Sequence, residues 1–174
     1  MKSEFKREYI CRVAVIGTDI NQAALFLKEG KLVAIPTETV YGLAANAFNS
    51  DAVARVFETK ERPTFDPLIV HTFSLEKVAE FVTSIHPQLL KLANAFWPGP
   101  LTLLLPKKTT ISDLVTSGLG TVGVRIPNHP LTLSLLSSLD FPLAAPSANP
   151  FGYISPTTAI HVNNQLDNKD RVRG

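Results

Sequence analysis

Many of the thirteen prolines in this chain flank short apolar runs, as in Ile35-Pro36, Pro67-Leu68, Leu105-Pro106 and Ile126-Pro127. Proline lacks a backbone N–H and holds φ at about −65°, so it stops a helix and is kept out of central strands. Thirteen in 174 residues exceeds the usual share of about 5%. The chain is thereby directed towards many short elements with shaped loops, and a long helical bundle is excluded. Apolar residues make up 45%, an ordinary share for a globular core, and charged residues only 18%. Disorder is excluded for most of the chain. The length fits one domain over residues 1–174.

Between the prolines, strand and helix patterns alternate. Residues 12–16 read as a strand, and Thr18 as the cap of a helix over 19–29 with Leu25, Phe26 and Leu27 partly inward and Gly30 closing it. Residues 32–35 form a strand. Ser50 caps a helix over 51–60 with Val53, Val56 and Phe57 on one face, ended before Pro63 and Pro67. A strand over 68–72 follows, then a helix over 75–82 capped by Ser74, then one from Pro87 to Phe96. The unbroken apolar centre of 101–105 predicts a strand covered on both faces. Residues 107–120 read as a polar loop, 121–126 as an alternating strand, 130–139 as a helix and 143–145 as a short buried strand. Ser155, with Pro156 behind it, caps a last helix reaching about Gln165. Strands interleaved with helices predict an α/β, or α+β-like, layered fold with a mixed sheet.

Several classes of function fall away. A formal charge of +2 is too small for coating nucleic acid by bulk charge, so bound anions need locally gathered cations. Cys11 stands alone, which excludes an internal disulfide or a cysteine zinc site and fits a reducing, cytosolic compartment. The four histidines lack metal-ligand spacing, so no protein-held metal is expected. The N-terminus lacks a signal-peptide core, and no apolar run approaches membrane-spanning length. Gly118-x-Gly120-x-x-Gly123 has the letters of a dinucleotide fingerprint in the wrong setting, with a polar loop before it and a strand after it.

Four segments combine polar groups with rigid surroundings. Residues 36–43 (PTETVYGL) offer two hydroxyls and a carboxylate beyond a buried strand, or else a threonine turn bonding its own backbone. Lys60 and Arg62 stand at a helix C-terminus, with two prolines stiffening the turn to Asp66. They suit phosphate or carboxylate oxygens, or simply complement the helix dipole. His71 sits in the following apolar strand, where a satisfied core histidine is the plainer reading. Thr121, Gly123 and Arg125 share one face of their strand, a platform for a carboxylate or an ordinary surface face. Pro146-Ser147-Ala148-Asn149-Pro150 fixes two neutral polar side chains, with Ser155 beyond it at a helix start.

In this order, Pro36–Leu43, Lys60-x-Arg62-Pro63 with Asp66-Pro67-Leu68, Trp97-Pro98-Gly99-Pro100-Leu101-Thr102, Val124-Arg125-Ile126-Pro127 and Pro146-Ser147-Ala148-Asn149-Pro150 resemble the YrdC-like threonylcarbamoyl-AMP synthase family. The resemblance runs from about Gly30 to Thr158. It implies a twisted mixed sheet with flanking helices and a deep, positively lined cavity. It also implies synthesis of threonylcarbamoyl-AMP from L-threonine, bicarbonate and ATP, with Mg²⁺ accompanying ATP and pyrophosphate released. The product would serve threonylcarbamoyladenosine formation in tRNA, through downstream transfer machinery. Carried over, the family signature falls on Lys60, Arg62, Ser147 and Asn149. Threonine contacts fall on Thr39, His71, Arg125 and the main chain near Ala145, and ATP contacts on Lys60, Arg62, Asp66, Thr121, Ser147, Asn149 and Ser155. Two positions depart from the pattern, Ala44 for the usual Gly and Asp66 for the common Asn. The family's usual closing segment is not matched after residue 168, so a domain lacking it is expected. Weak tRNA or double-stranded RNA binding, a non-catalytic RNA-binding module and a carbamoyl-transfer relative remain as the other readings.

Overall fold

The computed structural model describes residues 15–166. Helix α1 (Ile20–Lys28) starts at Asp19, whose carboxylate accepts the N–H groups of Asn21 and Gln22 at 2.9 and 3.2 Å. The cap is therefore Asp19, a better acceptor placed one residue after the expected Thr18. Gly30 takes φ +75° just past the helix, the left-handed geometry expected of it. Residues 12–14 of the expected first strand lie outside the described residues, and Val15 and Ile16 are exposed and in no strand.

Strand β1 (Val33–Ile35) pairs antiparallel with β2 (Gly42–Asn46), and helix α2 (Ser50–Lys60) follows, capped by Asn49 rather than Ser50. Then come β3 (Ile69–His71), α3 (Leu75–Val78), α4 (Pro87–Phe96) and β4 (Leu103–Pro106). Ser74 caps α3 as expected, but the helix ends four residues early. Residues 107–120 are not a plain loop. They hold α5 (Asp113–Thr116), capped by Ser112, with Ile111, Val115 and Thr116 buried. The chain closes with β5 (Thr121–Arg125), α6 (Pro130–Ser137), β6 (Leu143–Ala144) and α7 (Ala159–Leu166). Thr158, not Ser155, closes the start of α7: its Oγ1 accepts from His161 N–H at 3.2 Å.

The strands form one mixed sheet in the order β1-β2-β6-β3-β5-β4, in which β3 and β5 run parallel. Alternation sorts the side chains onto two faces. On one, Leu43, Ala45, Val70, Val122, Val124 and Leu105 meet Val53, Val56 and Phe57 of α2 and Val115 of α5. On the other, Ile35, Ala44, Leu143 and Ala145 meet Leu27 of α1 and Leu135 and Leu136 of α6. That second cover stops at β6. Beyond it, on the same face, Ile69, Thr121, Gly123 and Arg125 are only half-buried. Leu104, paired with Gly123, is 63% exposed. The expected two-sided cover of 101–105 fails for this reason: β4 is the edge strand and only its Leu103/Leu105 face meets the core.

Candidate active site

The uncovered half of the sheet face is rimmed by the segments the sequence singles out. Pro146–Asn149 continues β6 and runs antiparallel to the end of the 36–41 loop. Leu43 N–H donates to Pro146 O at 2.8 Å, Ala148 N–H to Tyr41 O at 2.7 Å, and Gly42 bridges Ser147. Ala145 N–H donates to Ile69 O at 2.9 Å, tying the same loop to β3. Tyr41 N–H donates to Pro156 O at 2.8 Å, which brings half-buried Ser155 to this corner.

Lys60 ends α2, and its side chain runs beneath that loop. Its Nζ donates to Ser147 O at 2.5 Å and to Asn149 O, while Lys60 O accepts from Phe151 N–H. The residue is 1% exposed. An isolated ammonium in such a place is costly, and two carbonyl oxygens replace part of its lost hydration. Burial pulls its pKa down to about 8, the Arg62 charge adds to the fall, and Asp66 opposes it. Expected as a free cation for phosphate, Lys60 is instead engaged with the main chain of the Ser147–Asn149 loop.

Arg62 is anchored on three sides. Nε donates to Asp66 O and Nη2 to Pro67 O, both at 3.1 Å, and Nη2 lies 2.8 Å from the Asp66 carboxylate. Its guanidinium sits 6.0 Å from the Phe151 ring. Asp66 thus meets a cation inside its own turn. Asn149 is buried, with Nδ2 donating to Pro150 O and Tyr153 O at 2.8 Å each, while its Oδ1 finds no partner among the described residues.

A second polar group stands over β5. Register places His71 beside Arg125 in the parallel pair. Arg125 Nε donates to Gly99 O at 3.2 Å, and Nη2 donates to Glu38 Oε1 at 2.7 Å and Thr39 Oγ1 at 3.0 Å. Gly99 can be nothing larger: an added Cβ would lie 2.4 Å from Phe96 O. Thr37 Oγ1 donates to Val40 O at 2.7 Å and lies 3.0 Å from Thr39 Oγ1, which stiffens the loop. His71 Nδ1 is buried and finds no partner among the described residues. Burial first, and the Arg125 charge second, push the pKa of His71 down to about 4, so the ring is neutral at physiological pH. Thr121 shares the Arg125 face of β5.

The residues named from the sequence therefore fall into two groups, Lys60, Arg62, Asp66, Ser147, Asn149 and Ser155 around the end of α2 and the 147–155 loop, and Thr39, His71, Arg125 and Thr121 at the β3–β5 face opposite α2. The loop from Tyr41 and the strand end at Ala145 join them. Sequence reasoning did not single out Glu38 or Phe151 as site residues. Glu38 stood in the quoted PTETVYGL segment, and a carboxylate between two threonines was the available signal. Phe151 carried no signal apart from directly following Pro150.

The Sua5/YciO/YrdC family model, described as "Telomere recombination", matches residues 25–172. The chain belongs to this family. Among Sua5/YciO/YrdC proteins, the threonylcarbamoyl-AMP synthase of Pyrococcus abyssi is 52% identical over 143 residues, covering 82% of this chain and 42% of that protein. The threonylcarbamoyl-AMP synthase of Bacillus subtilis is 48% identical over 151 residues, covering 86% and 44%. The crystal structure of P. abyssi Sua5 complexed with L-threonine superposes with a TM-score of 0.85 at 48% identity, covering 90% of this chain and 46% of that one. The chain spans under half the length of these relatives.

Proposed function

We propose that this chain makes L-threonylcarbamoyl-AMP from L-threonine, bicarbonate and ATP, for threonylcarbamoyladenosine modification of tRNA. The observation that carries the reading is the meeting of Lys60 with Ser147 and Asn149, residues 87 and 89 positions away, beside an arginine-bearing strand in the Sua5/YciO/YrdC fold. The relatives named above supply the substrate class.

The chemistry has two bond-forming steps. Bicarbonate takes up a proton and loses water to give carbon dioxide; the neutral amine of threonine attacks its carbon, an N–C bond forms as one C–O π bond opens, and the nitrogen gives up a proton, so carbamate forms with net release of one water. An oxygen of the resulting carbamate then attacks the α-phosphorus of ATP, and the bond to the β-phosphate oxygen breaks, releasing pyrophosphate. Several anions meet in this space, and like unit charges at 4 Å repel by about 4 kcal/mol at an effective dielectric near 20. Arg125, Thr39 and the main chain near Ala145 hold the threonine carboxylate and hydroxyl, with neutral His71 beside them. Arg62, Ser147, Asn149, Thr121 and Ser155 meet the nucleotide, Asp66 holds Arg62, and Lys60 fixes the loop that carries Ser147 and Asn149. Catalysis is then positioning and electrostatic stabilisation, with no covalent enzyme intermediate. In this reading Mg²⁺ arrives with ATP.

The reading places the protein in the cytoplasm, upstream of the tRNA-modifying transfer machinery, with weak contact to tRNA or double-stranded RNA. No helix among the described residues is long and apolar enough to cross a membrane. The test is pyrophosphate release that requires both threonine and bicarbonate. Arg62→Ala and Lys60→Met should each lower it at least a hundredfold. Near-normal turnover in both variants would overturn the assigned roles.

A further inference from the structure

Arg125 has a carboxylate partner before any substrate arrives. Glu38 uses both of its oxygens: Oε1 accepts from Arg125 Nη2 at 2.7 Å, and Oε2 accepts from the Asn128 backbone N–H at 2.9 Å. Burial alone would raise its pKa, but the Arg125 hydrogen bond, the backbone N–H groups and the Arg125 charge outweigh it, and the group stays ionised below its ordinary range. Glu38 therefore ties the 36–41 loop both to the side chain at the end of β5 and to the backbone beyond it. Of the five N–H donors of the guanidinium, Nε is taken by Gly99 O and both on Nη2 by Glu38 and Thr39. The two on Nη1 are left without a partner among the described residues. The arginine is held along one edge and open along the other.

We propose that Glu38 is a positioning residue that fixes the Arg125 guanidinium and the Thr39 hydroxyl, so that the Nη1 edge faces the carboxylate of the amino-acid substrate. The inference rests on the functional reading above and adds a residue to it. A charge-only view gives the opposite sign. An anion beside Arg125 competes with the substrate carboxylate, so removing it should tighten threonine binding. Positioning requires that removal weakens it, because the guanidinium is then held only by Gly99 O and the Thr39 hydroxyl, and the 36–41 loop loses its bond to the Asn128 N–H. The two views separate in one experiment.

The experiment compares the unaltered chain with Glu38→Ala and Glu38→Gln, measuring L-threonine affinity by calorimetry and steady-state pyrophosphate release with each substrate varied. Gln keeps the size of Glu but can accept at only one of the two sites, so an intermediate loss is expected. For Glu38→Ala the threonine KM should rise at least tenfold and kcat should fall, while the ATP KM stays within twofold. A general loss of structure would move both KM values together. The Asn128 amide should also lose hydrogen-exchange protection. If Glu38→Ala does not fold, isosteric Glu38→Gln carries the same comparison. Unchanged or tighter threonine binding in the variants, with normal binding in the parent, overturns the role of Glu38 and leaves the functional reading standing. A parent chain that neither binds threonine nor releases pyrophosphate overturns both.

Discussion

At the scale of single residues, the site is built from groups whose charge state is set by burial. His71 lies between β5 and β6, paired with Arg125 on one side and Leu143 on the other. It stays neutral, with a pKa pushed down to about 4 by burial and by the Arg125 charge, against the smaller opposing pull of Glu38. The unfolded chain takes up a proton near pH 6.5, which the native protein refuses until about pH 4. Between those values the unfolded state binds more protons, so stability falls as pH falls. Lowering the pH from 6.5 to 4.5 should cost about 2–3 kcal/mol through this one group. Urea titrations at the two pH values measure it. His71→Gln should flatten the difference by that amount, and an equally steep loss in the variant would show that the dependence lies elsewhere.

At the scale of elements, β4 separates what a sequence can state from what it cannot. Leu103, Leu104 and Leu105 are identical in composition and opposite in fate, because β4 lies at the sheet edge and one of its faces is bare. Leu105→Ala should cost about 2–5 kcal/mol, whereas Leu104→Thr should stay within about 0.5 kcal/mol; chemical denaturation of the two variants checks the contrast. The run of leucines announced a strand and not its neighbours. Strand β2 was harder still. Gly42–Asn46 holds a glycine, two alanines and an asparagine, which are poor strand formers by themselves. It is a strand because β1 and β6 bond it from both sides and because its small side chains let helices approach both faces. The alternation in 121–125 was legible because that strand is covered on one face and open on the other, which is the condition for an alternating pattern. Caps slipped by one to three residues where several acceptors stood together, as at Thr18 and Asp19, Ser50 and Asn49, and Ser155 and Thr158. Lys60, Arg62, Ser147, Asn149 and Arg125 were drawn into one set by the family resemblance, because each proline-bounded string by itself also fits an ordinary turn, helix end or sheet face. Glu38 stood in the sequence only as the carboxylate of the 36–43 segment, because its partner is an arginine 87 positions away.

At the scale of the whole molecule, the site is a seam between two cores. The face covered by α1 and α6 and the face covered by α2 and α5 are joined through the sheet, and the site lies where the first cover ends. Its walls come from the 36–41 loop, the Gly99 corner, the end of β5 and the Ser147–Asn149 loop, which belong to widely separated stretches of chain held by few direct bonds. A small amino acid seated on Arg125, Thr39 and the main chain near Ala145 would add bonds between the 36–41 loop, β5 and the end of β6, and an unfolded chain offers it nothing comparable. L-Threonine at a hundred times its dissociation constant should therefore stabilise the native state by about 2.7 kcal/mol. For a protein of this size that is a rise in melting temperature of roughly 5–10 °C. The transition should remain single, since the ligand reinforces the junction of the cores and not either one alone. Differential scanning fluorimetry with L-threonine, D-threonine and the Arg125→Ala variant tests this. The shift should need the L isomer and vanish in the variant, and an equal shift with D-threonine would place the binding somewhere other than this seam.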